Sequence, residues 1–220
     1  MTIGHNQIAS LPSQIALFPL SGVVLMPFAH IPLNVFEGRY INMINDSFSN
    51  GHYIGIVQPR IDAPDPVPTD APIYETGTLA RIISFFDSND GTYQITLQGI
   101  MRFNVIGEQP SPRGYRMASV DYMAYVDDLA LATERKGVAR EQLIELMHNF
   151  LASKEMDVDW DAIDNASYSA LVSSLVMTCP FSSVEKQALL ELPNQSRRAE
   201  MLIQLFTMSG DGQLSSTVRH

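Results

Sequence analysis

Residues 15–40 constrain the fold most, because short strand-like apolar runs are interrupted there by prolines before the pattern becomes helical. Pro19, Pro27 and Pro32 keep these runs short, since proline has no backbone N–H to donate to a sheet ladder. From Phe36 onward the apolar residues recur at helical spacing. The sequence therefore predicts short strands followed by a helix. No catalytic motif follows downstream, which favours a binding domain over an enzyme.

The helix after these strands has a predicted capping box at its start. Asn34 occupies the N-cap position and Glu37 follows three residues later, the spacing at which each side chain accepts from the other residue's backbone N–H. Gly51 marks the predicted end of the helix. The apolar positions that share one face are Phe36, Tyr40, Met43, Ile44 and Phe48.

Further strand candidates alternate with turn signals up to residue 125. Residues 87–91 are a strong hairpin signal, and residues 92–98 alternate cleanly between apolar and polar side chains. The proline-rich residues 59–72 predict a mobile surface loop that is too polar to pack. The predicted strands are residues 15–18, 23–25, 29–35, 53–58, 76–86, 92–98, 102–106 and 115–125. Many short strands with one helix predict a small mixed barrel.

The pattern changes near Val126, after which glycines and strand signals almost vanish. Ser182 and Glu185 form a second predicted capping box, Asn194 is the N-cap of the last helix, and Pro180 stops the helix before them. The apolar helical positions are Leu143, Met147, Phe150, Leu151, Tyr168, Leu171, Val172, Leu175, Val176, Ala199, Leu202, Ile203 and Phe206. The predicted organisation is a flexible leader (1–13), a strand-rich subdomain (14–125), a helical bundle (126–208) and a flexible tail (209–220).

Charge and composition argue against several functional classes. The 220 residues carry a formal net charge of −10, and neither half of the chain has a basic cluster that would bind phosphates. No apolar run approaches the roughly 20 residues that a membrane helix needs, and the N-terminus lacks a signal-peptide pattern. The single cysteine, Cys179, rules out an internal disulfide. The sequence predicts a cytoplasmic protein that does not associate with membranes, and its acidic charge disfavours nucleic acid as a partner.

Several short motifs occur in a characteristic order and spacing along the chain. They are residues 17–20 (Leu-Phe-Pro-Leu), 24–27 (Val-Leu-Met-Pro), 32–40 (Pro-Leu-Asn-Val-Phe-Glu-Gly-Arg-Tyr), 77–83 (Gly-Thr-Leu-Ala-Arg-Ile-Ile), 90–91, 97–103 (Leu-Gln-Gly-Ile-Met-Arg-Phe), 186–191 and 197–202. Taken together, these motifs resemble the Lon protease N-terminal, substrate-binding domain family. The resemblance implies an α+β fold in which a PUA-like small mixed β-barrel with one helix is followed by a C-terminal helical bundle. It also implies that the chain holds protein substrates or partners without cutting them.

The sequence departs from full-length Lon proteases in what it lacks. It contains no Gly-rich loop ending in Gly-Lys-Ser/Thr, the motif that holds nucleotide phosphates, and it ends before a Ser–Lys protease domain could fit. We therefore expect a stand-alone form without ATPase and protease domains, for which a separate protease is a candidate partner. Gly38 stands where the family often has proline, which makes the start of the helix less rigid. The oligomeric state stays open.

Aromatic residues in this chain have two interpretations, since they either pack in the core or form a groove that contacts a polypeptide. Core packing accounts for most of them. Phe28 differs, because it follows Pro27 in a loop where a large apolar side chain is less easily buried. The candidate contact residues are Phe28, Phe36, Tyr40, Phe85, Phe86 and Phe103.

Two arginines also have both a structural and a functional interpretation. Arg39 either bonds carbonyls or a carboxylate beside Glu37, or binds the carboxylate of a peptide. Arg102 is either a buried ion-pair partner or a surface recognition residue. For both arginines the sequence favours the structural role.

No residue pattern predicts a catalytic, cofactor or metal site. The five histidines share no metal-ligand spacing, and Cys179 has no second thiol nearby. The closely spaced Asp157, Asp159, Asp161 and Asp164 lack the glycine and the terminal glutamate of a calcium loop. Three functions are therefore compared: a non-catalytic polypeptide-binding module, which is favoured; an RNA-binding PUA-like protein, which the acidic charge disfavours; and a hydrolase using Cys179 or the aspartates.

Overall fold

The computed structural model describes residues 8–61, 63, 66–110, 112–129, 140–153, 163 and 165–214. In this part of the chain a mixed sheet is followed by helices, so the predicted α+β class is confirmed. The strands are β1 (Gln14–Pro19), β2 (His30–Val35), β3 (Tyr53–Val57), β4 (Thr76–Asp87), β5 (Tyr93–Pro110) and β6 (Arg116–Asp121). The helices are α1 (Gly38–Ser47), α2 (Arg140–Ser153), α3 (Tyr168–Thr178), α4 (Ser183–Glu191) and α5 (Gln195–Leu214), and a 3-10 segment covers Met123–Leu129.

The sheet is organised around β5, an 18-residue strand. Its first part pairs antiparallel with β2 and β4, and its second part pairs antiparallel with β6. The strand order is β2-β5-β4-β3-β1-β6, and the β1–β3 pair is parallel. Strand β6 thus pairs with both β1 and β5. Among the described strands, β2 pairs with β5 alone.

The hairpin between β4 and β5 forms where the sequence predicts it. Asn89 and Gly91 have positive φ angles of 59° and 88°, a region that asparagine and glycine adopt more readily than other residues. The predicted alternation along β5 is also confirmed, because Ile95 and Leu97 are buried while Gln94 is exposed. This part of β5 therefore presents apolar side chains to the core and polar side chains outward.

Helix α1 starts later than predicted, and the predicted capping box is wrong. Asn34 lies within β2, and Glu37 is itself the N-cap, where no side chain accepts a capping hydrogen bond. The Glu37 carboxylate bonds Arg39 instead. The helix ends at Ser47, and Gly51 lies in the following turn with a φ of 73°.

The segment between β1 and β2 is not the strand predicted over residues 23–25. Val24 and Met26 are buried among apolar side chains of the helices, whereas Leu25 is buried in the sheet core. A Cβ atom at Gly99 would overlap the carbonyl oxygen of Met26, so glycine lets this segment cross close to β5. The segment thereby connects the sheet core to the helical core.

The described residues of the proline-rich segment 59–72 include buried apolar side chains that lie against the sheet, so the prediction that the segment is too polar to pack is wrong. Val67 and Ala71 are buried at 4% exposure each, and Ile73 just after the segment is 8% exposed. Arg116 Nη1 donates to the Ala71 carbonyl at 2.6 Å. Apolar residues between the prolines are therefore buried, even though the segment is polar on average.

Helices α2–α5 share one apolar core, as predicted. The capping box of α4 is confirmed, because Ser182 N–H donates to Glu185 Oε2 at 2.8 Å and Glu185 N–H donates to Ser182 Oγ at 3.3 Å. Arg197 N–H donates to Asn194 Oδ1 at 3.0 Å, and α3 ends before Pro180. The core includes Leu143, Met147, Phe150, Leu151, Leu171, Val172, Leu175, Val176, Leu189, Leu190, Ala199, Leu202 and Phe206.

The ends of the described regions differ from the predicted boundaries. Strand β6 ends at Asp121, where the predicted strand 115–125 gives way to the 3-10 segment. Within the predicted leader, Ile8 and Leu11 pack against the sheet core, and helix α5 reaches Leu214 in the predicted tail. Residues 1–7, 215–220 and the four aspartates at 157–164 lie outside the described residues.

None of the helices in the described part of the chain is both long and apolar enough to cross a membrane.

Candidate functional site

The structure separates the predicted contact residues by exposure. Three of them lie in the interior and cannot touch a partner directly in this fold: Tyr40 (4% exposed), Arg102 (2%) and Phe103 (0%). Arg39 is largely covered. The exposed ones are Phe28, Phe36, Phe85 and Phe86.

Arg102 is a buried ion-pair partner, as the structural interpretation predicts. Its Nη2 lies 2.7 Å from Asp128 Oδ1 and its Nε donates to Asp128 Oδ2 at 2.8 Å. Its Nη1 donates to the carbonyls of Leu190 and Leu192 at 2.9 and 2.7 Å, and the guanidinium lies over the Tyr125 ring. These carbonyls are among those that a helix leaves without intrahelical donors at its C-terminus, so Arg102 of β5 satisfies the end of α4.

A second buried arginine, Arg198 of α5, meets the same carbonyls. It donates to the carbonyls of Leu190 and Leu192 at 3.3 and 2.8 Å, and also to that of Leu189 at 3.1 Å. Burial, and then the positive charge of Arg102, lower the pKa of Arg198, although the guanidinium stays charged at neutral pH. Two cations therefore converge on the C-terminus of α4, where the negative end of the helix dipole stabilises them.

Glutamines extend these polar contacts between the sheet and α4. Gln58 Nε2 donates to the Ser183 carbonyl and to Gln187 Oε1, both at 3.1 Å. Gln187 Nε2 in turn donates to the Thr76 carbonyl at 3.0 Å. We call the contacts made by Gln58, Arg102 and Gln187 the strand–helix junction. Its buried hydrogen bonds fix the helices on the sheet.

Arg39 is held within the fold rather than free to bind a peptide carboxylate. Its Nε donates to Glu37 Oε2 at 2.9 Å, and its Nη2 donates to the Val67 carbonyl at 2.6 Å. Its Nη1 donates to Thr69 Oγ1 at 3.1 Å, and the guanidinium lies 4.5 Å from the centre of the Tyr40 ring. Arg39 therefore ties the proline-rich segment to α1.

Phe28 is exposed, one of the two interpretations that the sequence leaves open. Its side chain is 50% exposed, and its φ angle of 65° is uncommon for a bulky residue. Its backbone N–H donates to the Gly99 carbonyl at 2.8 Å, which holds this conformation. An exposed ring on a strained backbone is a candidate contact.

Phe85 belongs to a small aromatic cluster beside α1. Its ring meets Phe48 edge to face at 5.0 Å and Tyr93 at 4.8 Å between centroids. These contacts engage much of its surface, although the side chain stays 40% exposed. Phe85 therefore stabilises the hairpin and offers less free surface than its neighbour Phe86.

Phe86 lies in a groove of about 290 Å³ on the face formed by β2, β5 and β4. The pairing register places Asn34, Gln94 and Phe86 in one row of this face, and Pro32, Thr96 and Ser84 in the next. Phe86 is 60% exposed, and no ionisable side chain lines the groove. We call it the β2 groove, lined by Pro32, Leu33, Asn34, Ser84, Phe86, Gln94, Ile95 and Thr96. Phe36, 63% exposed, follows β2 directly.

A second, polar cleft of about 540 Å³ lies where the sheet meets α4. Arg60 Nη2 pairs with Glu75 at 3.1 Å, and Glu191 accepts from Gln187. The charged side chains of this cleft therefore already bond to neighbouring residues, which makes the cleft a weaker candidate for ligand binding. It is lined by Arg60, Tyr74, Glu75, Thr76, Asn104 and Glu191.

The described residues offer little for catalysis. Burial raises the pKa of Cys179 to about 12, so that its thiol is neutral at physiological pH and a poor nucleophile. Within the part of the chain that the structure describes, no group of three or more His, Cys, Asp or Glu side chains is placed to hold a metal ion.

Comparison with known proteins shows which family the chain resembles. The family model of the ATP-dependent protease La (LON) substrate-binding domain matches residues 14–207. The chain belongs to this Lon substrate-binding domain family. The Lon-type domain is 30% identical to the Lon protease of Anaeromyxobacter dehalogenans over 202 residues, 89% of this chain and 23% of that protein. It is also 30% identical to Lon protease 2 of Myxococcus xanthus, over 89% of this chain and 24% of that protein.

Solved structures show the same fold for this Lon-type domain. The crystal structure of a Lon N-terminal domain protein from Xanthomonas campestris matches with a TM-score of 0.60 and 24% identity, covering 88% of this chain and 98% of that one. The N-terminal domain of the Mycobacterium avium complex Lon protease matches with a TM-score of 0.59 and 16% identity. The chain spans about a quarter of the length of the Lon proteases named above, at 23% and 24%.

Sequence reasoning missed three features of the described part of this Lon-type domain. Asp128 as the partner of Arg102 has no local signal, because the two residues meet only through the fold. Arg198 did have a signal, since it lies four residues before Leu202 and shares its helix face. The free edge of β2 was also missed, because strand order is not readable from one strand's sequence.

Proposed function

We propose that this Lon-type domain binds exposed segments of other polypeptides and does not cleave them. Membership of the substrate-binding domain family supports the binding role. The observation that carries the proposal is Phe86, an aromatic side chain that is 60% exposed in an uncharged groove. Exposed aromatic side chains in concave, uncharged surfaces are where binding energy concentrates at protein interfaces.

We also propose how the chain divides into subdomains and where the protein works. Residues 14–125 form a PUA-like small β-barrel, which the pairing of β6 with both β1 and β5 supports. Residues 126–208 form the helical bundle. The protein works in the cytoplasm in protein quality control, and it passes bound polypeptides to a separate protease.

RNA is a less suitable partner than a polypeptide. RNA-binding proteins gain much of their affinity from lysine and arginine side chains that neutralise phosphates. This chain has a formal net charge of −10. Three of its arginines, Arg39, Arg102 and Arg116, are engaged within the fold. We therefore retain RNA only as a competitor in the binding test.

Binding of an unfolded protein tests the proposal directly. Fluorescently labelled α-lactalbumin, reduced and carbamidomethylated so that it stays unfolded, is titrated with the protein in the absence of ATP. We expect the anisotropy to rise to saturation, and we expect that neither folded α-lactalbumin nor RNA displaces the labelled unfolded protein. Absence of binding to this and other unfolded proteins would refute the proposed function.

The variant Phe86→Thr tests the site. Loss of an aromatic interface residue costs about 1–2 kcal/mol or more, so affinity for the unfolded protein should fall about tenfold. The matched control is Ile106→Thr, which removes an apolar side chain that is 70% exposed on β5 outside the β2 groove. Equal losses in the two variants would show that the β2 groove is not the site.

A further inference from the structure

We infer that the bound polypeptide adds as an extra strand to the free edge of β2, an inference that rests on the proposed function. The occupant is an extended, uncharged segment whose apolar residues alternate with polar ones. Its backbone bonds to β2, and its side chains lie beside the β2 groove on one face and beside Ile31 and Leu33 on the other.

The edge of β2 is open in the described part of the chain. Strand β2 is the first in the sheet order, with β5 on one side and no described strand on the other. Ile31 and Leu33 are only half-buried, as expected for apolar side chains at an uncovered edge. An unpaired edge of this kind is a ready template for another strand.

The hydrogen bonds to β5 show which backbone groups of β2 point outward. Gly99 N–H donates to the Ala29 carbonyl at 2.9 Å, one step beyond the pair of His30 and Gln98. Because backbone groups alternate in direction along an antiparallel strand, residues 31, 33 and 35 bond to β5. His30, Pro32 and Asn34 then direct their backbone groups to the free edge. Pro32 fits this assignment, since proline is tolerated where its missing N–H would face solvent.

The chemistry of this edge selects the occupant. The outward groups are the carbonyls of His30, Pro32 and Asn34 and the N–H groups of His30 and Asn34, a pattern that an extended backbone satisfies. No charged side chain lines the adjacent groove, so a charged segment would lose hydration without gaining an ionic partner. An uncharged segment avoids that cost.

A second copy of the chain fits this edge less well than an extended segment of another polypeptide, called here the client. Two β2 strands paired antiparallel about a two-fold axis would bring two prolines into one ladder. Whatever the register, the carbonyl opposite each Pro32 would lack a donor, which makes two such carbonyls per dimer. A client residue opposite Pro32 supplies its own N–H to the Pro32 carbonyl, which leaves only the client's carbonyl exposed to water.

Backbone N-methylation of a peptide tests strand addition on the wild-type protein. The probe is a capped peptide of about seven residues, the length of an ordinary strand, in which threonine alternates with valine and phenylalanine. Each analogue carries one N-methyl group, and its affinity is measured by fluorescence anisotropy. We expect methylation at every second residue to weaken binding about tenfold, and methylation between them to change it less than about twofold. A response without this alternation would overturn the inference.

Two variants change the edge itself. Pro32→Ala adds an outward N–H and should tighten binding of the probe about fivefold, whereas Asn34→Pro removes one and should weaken it about tenfold. Circular dichroism checks that both variants fold. Unchanged affinity in a folded Pro32→Ala protein would contradict strand addition.

The outcomes separate this inference from the proposed function. If unfolded α-lactalbumin binds but the probe does not, or the methylation response is flat, strand addition is refuted and the binding function stands. If no unfolded protein binds, the function itself fails. If sedimentation shows self-association that Asn34→Pro abolishes, the edge serves a second copy and the inference is overturned.

Discussion

The strand–helix junction and the free edge of β2 are two borders of one sheet. Polar groups are buried and hydrogen-bonded at the first border and exposed at the second. At the junction, donors of Arg102 and Gln187 are buried against carbonyls and carboxylates. At the edge of β2, the outward backbone groups of His30 and Asn34 have no described strand beside them. Most buried polar groups are paired inside the fold, whereas exposed backbone groups bond to water until a partner replaces it. One border holds the molecule together, and the other is available for binding.

The largest effect should come from breaking the junction at Arg102. Arg102→Met keeps an apolar stem but leaves Asp128, which is 8% exposed, without its ion-pair partner. It also removes one of the two arginine donors to the carbonyls of Leu190 and Leu192. An uncompensated buried charge costs about 3–5 kcal/mol, so the free energy of unfolding should fall by that amount. Urea denaturation followed by circular dichroism measures it.

The control for Arg102 is an arginine in an exposed ion pair. Arg197 lies 2.7 Å from Glu200, and their side chains are 63% and 44% exposed. Arg197→Met should change the free energy of unfolding by less than about 1 kcal/mol, because exposed pairs are weak. Similar losses for Arg102→Met and Arg197→Met would contradict the role assigned to the junction.

A smaller loss is expected where the 24–26 segment crosses the sheet. A Cβ at Gly99 would overlap the Met26 carbonyl oxygen, so Gly99→Ala forces backbone to move and should cost about 2 kcal/mol. Gly107 of the same strand is the matched control, since a Cβ there meets nothing within 4 Å. Urea denaturation should show a lower free energy of unfolding for Gly99→Ala and little change for Gly107→Ala. An equal loss in Gly107→Ala would mean that replacing any glycine in β5 destabilises the fold.

Local signals predicted much of the fold. The turn at Asn89 and Gly91 and the capping box of Ser182 and Glu185 follow from interactions between residues close in sequence, and both are confirmed. The capping box at Asn34 is wrong because pairing with Gln94 of β5 extends β2 through that residue. Tertiary pairing overrides a local motif when the two compete for one segment.

The candidate site was less predictable than the fold. Aromatic residues were identifiable, but their exposure depends on long-range packing: Phe103 is buried between strands and Phe86 is exposed, although both lie in apolar strand patterns. The partner of Arg102 and the openness of β2 depend on strand order and on helix placement. Such features arise from pairing between distant segments, which the spacing of residues in one sequence does not determine.

The smallest effect on stability should come from the β2 groove, on the sheet face next to the open border. Phe86→Thr removes a ring that is 60% exposed and keeps a residue suited to strands, so the free energy of unfolding should change by less than about 0.5 kcal/mol. The same variant should lose about tenfold in affinity for an unfolded protein. Urea denaturation and anisotropy on one preparation give both values. A stability loss as large as that of Gly99→Ala would make Phe86 a packing residue, and the β2 groove would then serve the stability of the fold rather than binding.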